Sequence, residues 1–133
     1  MMRRILHTML RVGNLQRSID FYTRVIGMQV LRTFDQPEER YTLTFLGFKK
    51  EPEACVLELT YNYGISKYEP GNSYGHIAIG VTDIEQIATD LKKKNVEFSL
   101  EPIQLKGGNE MIAFLTDPDG YQVELIERPT SWF

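Results

Sequence analysis

The chain has 133 residues, of which 42% are apolar and 25% charged, a composition typical of one globular domain and not of a disordered segment. Eighteen acidic against fifteen basic side chains, without a basic tract, argue against nucleic acid as a partner. The apolar stretch near the N-terminus is short and interrupted by charge, so we expect neither an export signal nor a membrane span, and the single cysteine, Cys55, fits a reducing cytoplasm.

The first half of the chain predicts a strand, a helix and three further strands. Residues Leu6 to Val12 alternate as in a strand, with Leu6, Thr8, Leu10 and Val12 on the core face. Asn14 is a typical N-cap for the helix that follows and ends near Gly27. Three strands are predicted near residues 29–33, 41–48 and 54–61, the last with Cys55 on its apolar face as inert core.

The second half repeats this order after a polar loop. A strand is predicted at 75–81 and a helix at 84–94, capped by Asp83 with Gln86 completing a capping box. Strands follow near 98, at 111–115 and at 122–127, with a tight turn at 117–120 between the last two. We therefore expect an α+β fold of two paired βαβββ units forming a curled mixed sheet. The units span about residues 4–61 and 75–127 of a single domain, 1–133, and the loop 62–74 joins them.

One histidine and one glutamate stand at matching places in each half. His7 lies on the first strand and His76 on the fifth, each away from the face expected to pack under the helix. Glu58 interrupts the apolar strand VLELT, and Glu124 interrupts the last strand in the same way. The chain has only these two histidines, and both occupy equivalent positions of the repeat.

Two imidazole nitrogens and two carboxylate oxygens form a donor set suited to a borderline divalent cation such as Ni²⁺, Co²⁺, Zn²⁺, Fe²⁺ or Mn²⁺. An unpartnered buried glutamate would be costly, which favours a shared ligand role. The alternative is that each histidine is an ordinary edge residue and each glutamate a solvated one. That interpretation explains a single residue better than it explains four at repeat-related positions.

Several segments resemble the vicinal-oxygen-chelate superfamily and, within it, the compact bacterial type of glyoxalase I. They are HTMLRVGNLQRSIDFYTRVIGM, the ELTYN segment, YGHIAIGV and AFLTDPDGYQVELIE, which together cover the chain from His7 to Glu127. The resemblance implies that His7, Glu58, His76 and Glu124 are the metal ligands. It also implies a homodimer whose sites lie between subunits, each taking two ligands from one chain and two from the other.

The first ligand is His7, where larger eukaryotic relatives have glutamine, and this resembles the class that prefers nickel or cobalt over zinc. The implied reaction is that of a lactoylglutathione lyase. It isomerises the hemithioacetal of glutathione and methylglyoxal to S-lactoylglutathione through an enediolate, and so detoxifies methylglyoxal. By resemblance Glu124 is the first choice for the base that moves the proton, with Glu58 able to serve on the opposite face.

Glutathione contacts of the family correspond to Arg11, Asn62 and Lys106 in this sequence. On the strand pattern alone, Arg11 is equally well explained as a solvated surface residue. Other superfamily enzymes, such as a dioxygenase, an epimerase or a thiol transferase, would reuse the paired units and a metal. A metal-free drug-binding module is a further alternative, although such modules lack the four-residue ligand set.

Overall fold

The computed structural model describes residues 1–133 and divides the chain into two compact units, Met1–Glu69 and Pro70–Phe133. Each unit has a helix and a four-stranded mixed sheet, so the chain has the expected α+β fold. None of its helices has the length and apolar character needed to cross a lipid bilayer.

The sheet of the first unit joins the beginning of the unit to its end. Its strands are β1 (His7–Arg11), β2 (Gln29–Gln36), β3 (Tyr41–Gly47) and β4 (Val56–Asn62), in the order β1-β4-β3-β2. The pair β1 and β4 is parallel, whereas β3 is antiparallel to both of its neighbours. Residues that alternate with the exposed ones close the core, among them Leu10, Leu57 and Leu59.

The helical segment of this unit begins where the sequence predicts it. Helix α1 (Leu15–Asp20) starts at Asn14, whose side chain accepts a hydrogen bond from the Arg17 amide at 3.0 Å. A π-helical segment, Phe21–Val25, then continues it. Its turns widen because the Ile26 amide bonds the Phe21 carbonyl, five residues back. The chain leaves the helix at Gly27, whose φ of +93° is a left-handed conformation suited to glycine.

The second unit repeats the topology. Strands β5 (His76–Val81), β6 (Phe98–Gln104), β7 (Met111–Thr116) and β8 (Gln122–Glu127) form a sheet in the order β5-β8-β7-β6, with β5 and β8 parallel. Helix α2 (Ile84–Lys93) packs against β6, β7 and β8 and buries Ile84, Ala88 and Leu91.

The caps and turns of this unit follow the sequence with one exception. Asp83 accepts from the Gln86 amide at 3.1 Å as an N-cap, but the Gln86 side chain donates to Asp90 and not back to Asp83, so the predicted capping box is only half formed. In the turn before β8, Asp117 accepts from the Tyr121 amide at 2.9 Å, and Gly120 takes a φ of +93°.

Three expected core residues are exposed. Leu6 precedes β1 and is 63% exposed, and Thr8 on β1 is exposed as well, so only Leu10 and Val12 of the predicted core face are buried. Cys55 precedes β4 and is an exposed free thiol, so the prediction of a core position was wrong. For Leu6 and Cys55 the sheet pairing begins later than the apolar pattern suggests, at His7 and Val56.

Candidate active site

The parallel pairing of β1 and β4 brings the first predicted pair together. Met9 lies opposite Glu58 in the register, and His7 lies one alternation earlier on the same face. The His7 Nε2 atom is 3.5 Å from Glu58 Oε1. The imidazole is 41% exposed, whereas the carboxylate side chain is only 12% exposed.

The second unit builds the same pair on β5 and β8. Ala78 lies opposite Glu124, and His76 lies one alternation earlier. The His76 Nε2 atom is 3.1 Å from Glu124 Oε1, with side-chain exposures of 42% and 14%. In neither unit does a third His, Cys, Asp or Glu join the pair to complete a group of three. Each unit therefore presents one nitrogen and one carboxylate oxygen side by side.

The two pairs fit a divalent cation. Two atoms bound to one cation at about 2.0–2.2 Å each lie about 2.8–3.6 Å apart when the angle between the bonds is about 90–110°. The observed separations of 3.5 and 3.1 Å fall within that range. Each largely buried carboxylate also has no lysine or arginine partner, a situation that a bound cation would relieve.

Each histidine of the two pairs packs against a phenylalanine that sequence reasoning missed. The ring of His7 meets Phe45 edge-on at 5.7 Å between centroids, and His76 meets Phe114 in the same manner at 5.1 Å. Both phenylalanines lie directly opposite the glutamate of the pair across two antiparallel strands, Phe45 opposite Glu58 and Phe114 opposite Glu124. The signal that could have revealed them is the dipeptide Phe-Leu, which recurs in the third strand of each unit.

Comparison with known proteins shows the family of the chain. Residues 4–125 match the family model described as Glyoxalase/Bleomycin resistance protein/Dioxygenase superfamily, a range that contains all four predicted ligands. The chain is 52% identical over 125 residues to a lactoylglutathione lyase of Escherichia coli O157:H7, a match that covers 94% of this chain and 93% of the relative. The chain belongs to the glyoxalase I family. It is accordingly an enzyme, a lactoylglutathione lyase.

Solved glyoxalase I structures share the fold. The trypanothione-dependent glyoxalase I of Leishmania major is 51% identical with a TM-score of 0.85, over 95% of this chain and 87% of that one. Glyoxalase I from Zea mays is 48% identical with a TM-score of 0.91, again over 95% of this chain. The chain spans 45% of the length of the maize protein.

Two of the three predicted glutathione contacts lie on the face of the first sheet that has His7 and Glu58. Arg11 is exposed on β1 and lies opposite Thr60, two residues beyond Glu58. Asn62 ends β4 on the same face as Glu58, and its amide nitrogen donates to the Tyr68 hydroxyl at 3.0 Å. Lys106 is exposed in the turn between β6 and β7 of the second unit.

A hydrogen-bonded network stands beside Asn62. The Tyr63 hydroxyl donates to Asp35, and Thr42 donates to the same carboxylate oxygen at 2.7 Å. These bonds hold the pKa of Asp35 below its usual value, and the bond to Asp35 raises the pKa of Tyr63. The network thereby ties the end of β4 to the hairpin of β2 and β3.

Tyr74 lies two residues before His76 and packs against another tyrosine. The Tyr74 ring meets Tyr121 edge-on at 5.4 Å. Burial, and secondarily the charge of Asp117, raises the pKa of Tyr74. Tyr74 therefore stays a neutral hydroxyl through the physiological range, next to the strand that carries His76.

Proposed function

We propose that this chain, as a homodimer, isomerises the hemithioacetal of glutathione and methylglyoxal to S-lactoylglutathione, with His7, Glu58, His76 and Glu124 as ligands of one divalent metal per site. The observation that carries the proposal is the repetition of the His–Glu pair. Two sheets of the same topology place an Nε2 atom beside a carboxylate oxygen, at 3.5 Å in one unit and 3.1 Å in the other.

A cation with this donor set acts as a Lewis acid, stabilising negative charge that develops on the two neighbouring oxygens of the substrate. Nickel or cobalt is favoured and zinc is possible. Two nitrogen and two oxygen donors would leave room at such a cation for the two neighbouring oxygens of the substrate. The half-exposed imidazoles, at 41% and 42%, are open to an entering ion.

Glu124 is the proposed base. It removes the proton from the carbon that carries the sulfur and the hydroxyl, which leaves an enediolate. The same carboxylate then returns the proton to the neighbouring carbon, while the hydroxyl proton passes from the first oxygen to the second. One C–H bond is broken and one is formed, so the product is an isomer of the substrate. Glu58 is the second choice and would serve the opposite face of the substrate in place of Glu124.

Glutathione carries two carboxylates and an ammonium group, and these require charged or polar partners outside the metal centre. Arg11 and Asn62 lie on the same face of the first sheet as Glu58. There the guanidinium would donate to a carboxylate of glutathione, and the amide would bind its carboxylate or its ammonium group. Lys106 is proposed to hold the remaining carboxylate. Its position in an exposed turn with Gly107 and Gly108 leaves the ammonium group accessible.

The homodimer and the compartment are also parts of the proposal. Each unit has one His–Glu pair, and in the proposed homodimer each site takes two ligands from one chain and two from the other. The exposed thiol of Cys55 fits a reducing compartment, and we place the enzyme in the cytoplasm.

The test is isomerase activity of purified, metal-stripped protein given the glutathione–methylglyoxal hemithioacetal and then Ni²⁺, Co²⁺ or Zn²⁺ in turn. We expect nickel and cobalt to restore turnover and zinc to restore little. A parallel assay with the hemithioacetal of trypanothione examines the thiol, since the Leishmania major relative is described as dependent on it.

The number of metal ions bound per chain shows whether two His–Glu pairs bind one ion together or each pair binds its own. One metal per chain, together with a dimer in sedimentation analysis, agrees with sites that combine two pairs. Tight metal binding without turnover in any of these assays would contradict the proposed reaction, and the absence of metal binding would contradict the ligand assignment.

A further inference from the structure

The Glu58 carboxylate has a second partner that the resemblance does not assign. Thr60 Oγ1 donates to Glu58 Oε2 at 2.8 Å, while Glu58 Oε1 faces His7 Nε2 at 3.5 Å. Thr60 is 9% exposed, so little water competes for its hydroxyl. Both oxygens of Glu58 are therefore occupied, one by the threonine and one on the side of the proposed metal.

The equivalent place in the second unit has no donor. Thr60 lies opposite Arg11 in the first unit, and Ile126 lies opposite Gly80 in the second. Ile126 stands two residues after Glu124 and therefore on the same face of β8. The Glu124 carboxylate has the histidine contact at 3.1 Å and no side-chain hydrogen bond of the kind that Thr60 makes.

We infer that Thr60 is a positioning residue that holds Glu58 as a stationary ligand, while Ile126 leaves the Glu124 carboxylate free to turn away from the cation and carry the proton. This inference rests on the proposed function. The physical reason is that a carboxylate fixed through one oxygen keeps the other aimed at the cation, whereas a base must rotate between the cation and the carbon.

A threonine that only stabilised the strand would affect folding and not the metal. Thr60→Val keeps the shape and removes the hydroxyl, and Thr60→Ser keeps the hydroxyl. Thr44→Val is the matched control, because Thr44 is a buried threonine of the same sheet that pairs with Leu59, on the other face, and exchanges a hydrogen bond with Thr33.

The first measurement is the Ni²⁺ dissociation constant of each full-length variant, by competition with a chromophoric chelator. We expect Thr60→Val to raise it about tenfold or more, as is usual when a residue that orients a ligand is lost. Thr60→Ser should restore most of the affinity, and Thr44→Val should match the wild type. Unchanged affinity in Thr60→Val, or failure of Thr60→Ser to restore it, would overturn the inference.

The second measurement uses Ile126 and does not depend on the folding of the Thr60 variants. Ile126→Thr adds a donor beside Glu124, and Ile126→Val is its control of equal size. We expect Ile126→Thr to lower kcat about tenfold with an unchanged KM and undiminished nickel affinity, because the base is now held. Equal kcat in the two variants would overturn the inference.

The wild-type protein separates this inference from the function on which it rests. Wild type that lacks nickel-dependent isomerase activity would refute both. Active wild type together with a Thr60→Val variant that binds nickel normally would refute only the role of Thr60.

Discussion

The His7–Glu58 pair and the His76–Glu124 pair lie on the same arrangement of strands and differ in the residues next to them. Both have a histidine, a glutamate and a phenylalanine in matching register. The first unit adds polar groups along the ligand face, Arg11 and Thr60, where the second has Gly80 and Ile126.

Around Gly80, the face of the second sheet that has His76 and Glu124 is apolar. The Phe133 ring lies against Gly80, so that a Cβ there would come within 3.3 Å of it. In the first unit the Arg32 guanidinium lies 3.7 Å from the centroid of the Phe45 ring, which is a cation–π contact. Glu51 forms a salt bridge with the same guanidinium at 2.9 Å. Two units of the same topology thus share a His–Glu pair, while the neighbouring residues are polar or charged in the first unit and apolar in the second.

The largest expected difference between the units is between the two glutamates. Glu124→Gln should lower kcat by about 10²–10⁴-fold, the usual contribution of a general base, and keep much of the metal. Glu58→Gln should weaken nickel binding more and, at saturating Ni²⁺, cost less turnover. Single-turnover kinetics with metal analysis measures both. Equal losses in the two variants would remove the division of roles, and full activity of Glu124→Gln would reject it as the base.

The next largest effect concerns the polar face of the first unit. Arg11→Ala should raise KM for the glutathione hemithioacetal about tenfold to a hundredfold, since a hydrogen bond between charged groups is lost. Nickel affinity should not change. The control is Arg24→Ala, which removes an arginine from the π-helical segment of the same unit. Steady-state kinetics at saturating Ni²⁺ checks this, and an unchanged KM would reject Arg11 as a substrate contact.

The phenylalanines should matter less, and should affect metal binding alike in both units. Phe45→Leu and Phe114→Leu each remove the edge-on contact that orients a proposed ligand histidine. We expect each to weaken nickel binding several-fold and to lower the free energy of unfolding by about 1 kcal/mol, with a larger loss in Phe45→Leu, which also loses the Arg32 contact. Metal titration and denaturant unfolding measure the two quantities. A large effect in one unit alone would show that the rings do not have equivalent roles.

The smallest expected effect depends on pH and belongs to the first unit. The folded-state pKa of Asp35 is lowered by its bonds from Tyr63 and Thr42. Its contribution to stability is therefore present above its unfolded pKa of about 4 and is lost as the pH falls through the folded value. Asp35→Asn should be less stable than wild type at pH 7 and lose that deficit below about pH 4. Denaturant unfolding across this range measures it, and a deficit that is constant with pH would contradict the assignment.

The sequence predicted the elements that depend on local rules. Asn14 and Asp83 cap the two helices, and the strand of Glu124 has the predicted bounds. The pairing of histidine with glutamate within each unit also follows from the alternation of faces once the first and last strands are adjacent.

Other features depend on tertiary contacts that a periodic pattern does not contain. Strand β2 extends to Gln36 because it pairs with β3 across a hairpin, and the widening of the helix at Phe21 is a matter of hydrogen-bond choice, which side-chain spacing does not reveal. Threonine is common in strands, so the sequence does not single out Thr60. Its hydrogen bond to Glu58 depends on a side-chain rotamer, which the strand pattern does not predict.

The parallel pairing of first and last strands has a consequence for how the protein is made. Each histidine leaves the ribosome long before the glutamate beside which it finally lies, so neither His–Glu pair exists until its sheet has closed around the whole unit. An ion that binds only the closed form stabilises it by mass action. A divalent metal held by the proposed ligands would then protect the folded enzyme from proteolysis as well as support its activity.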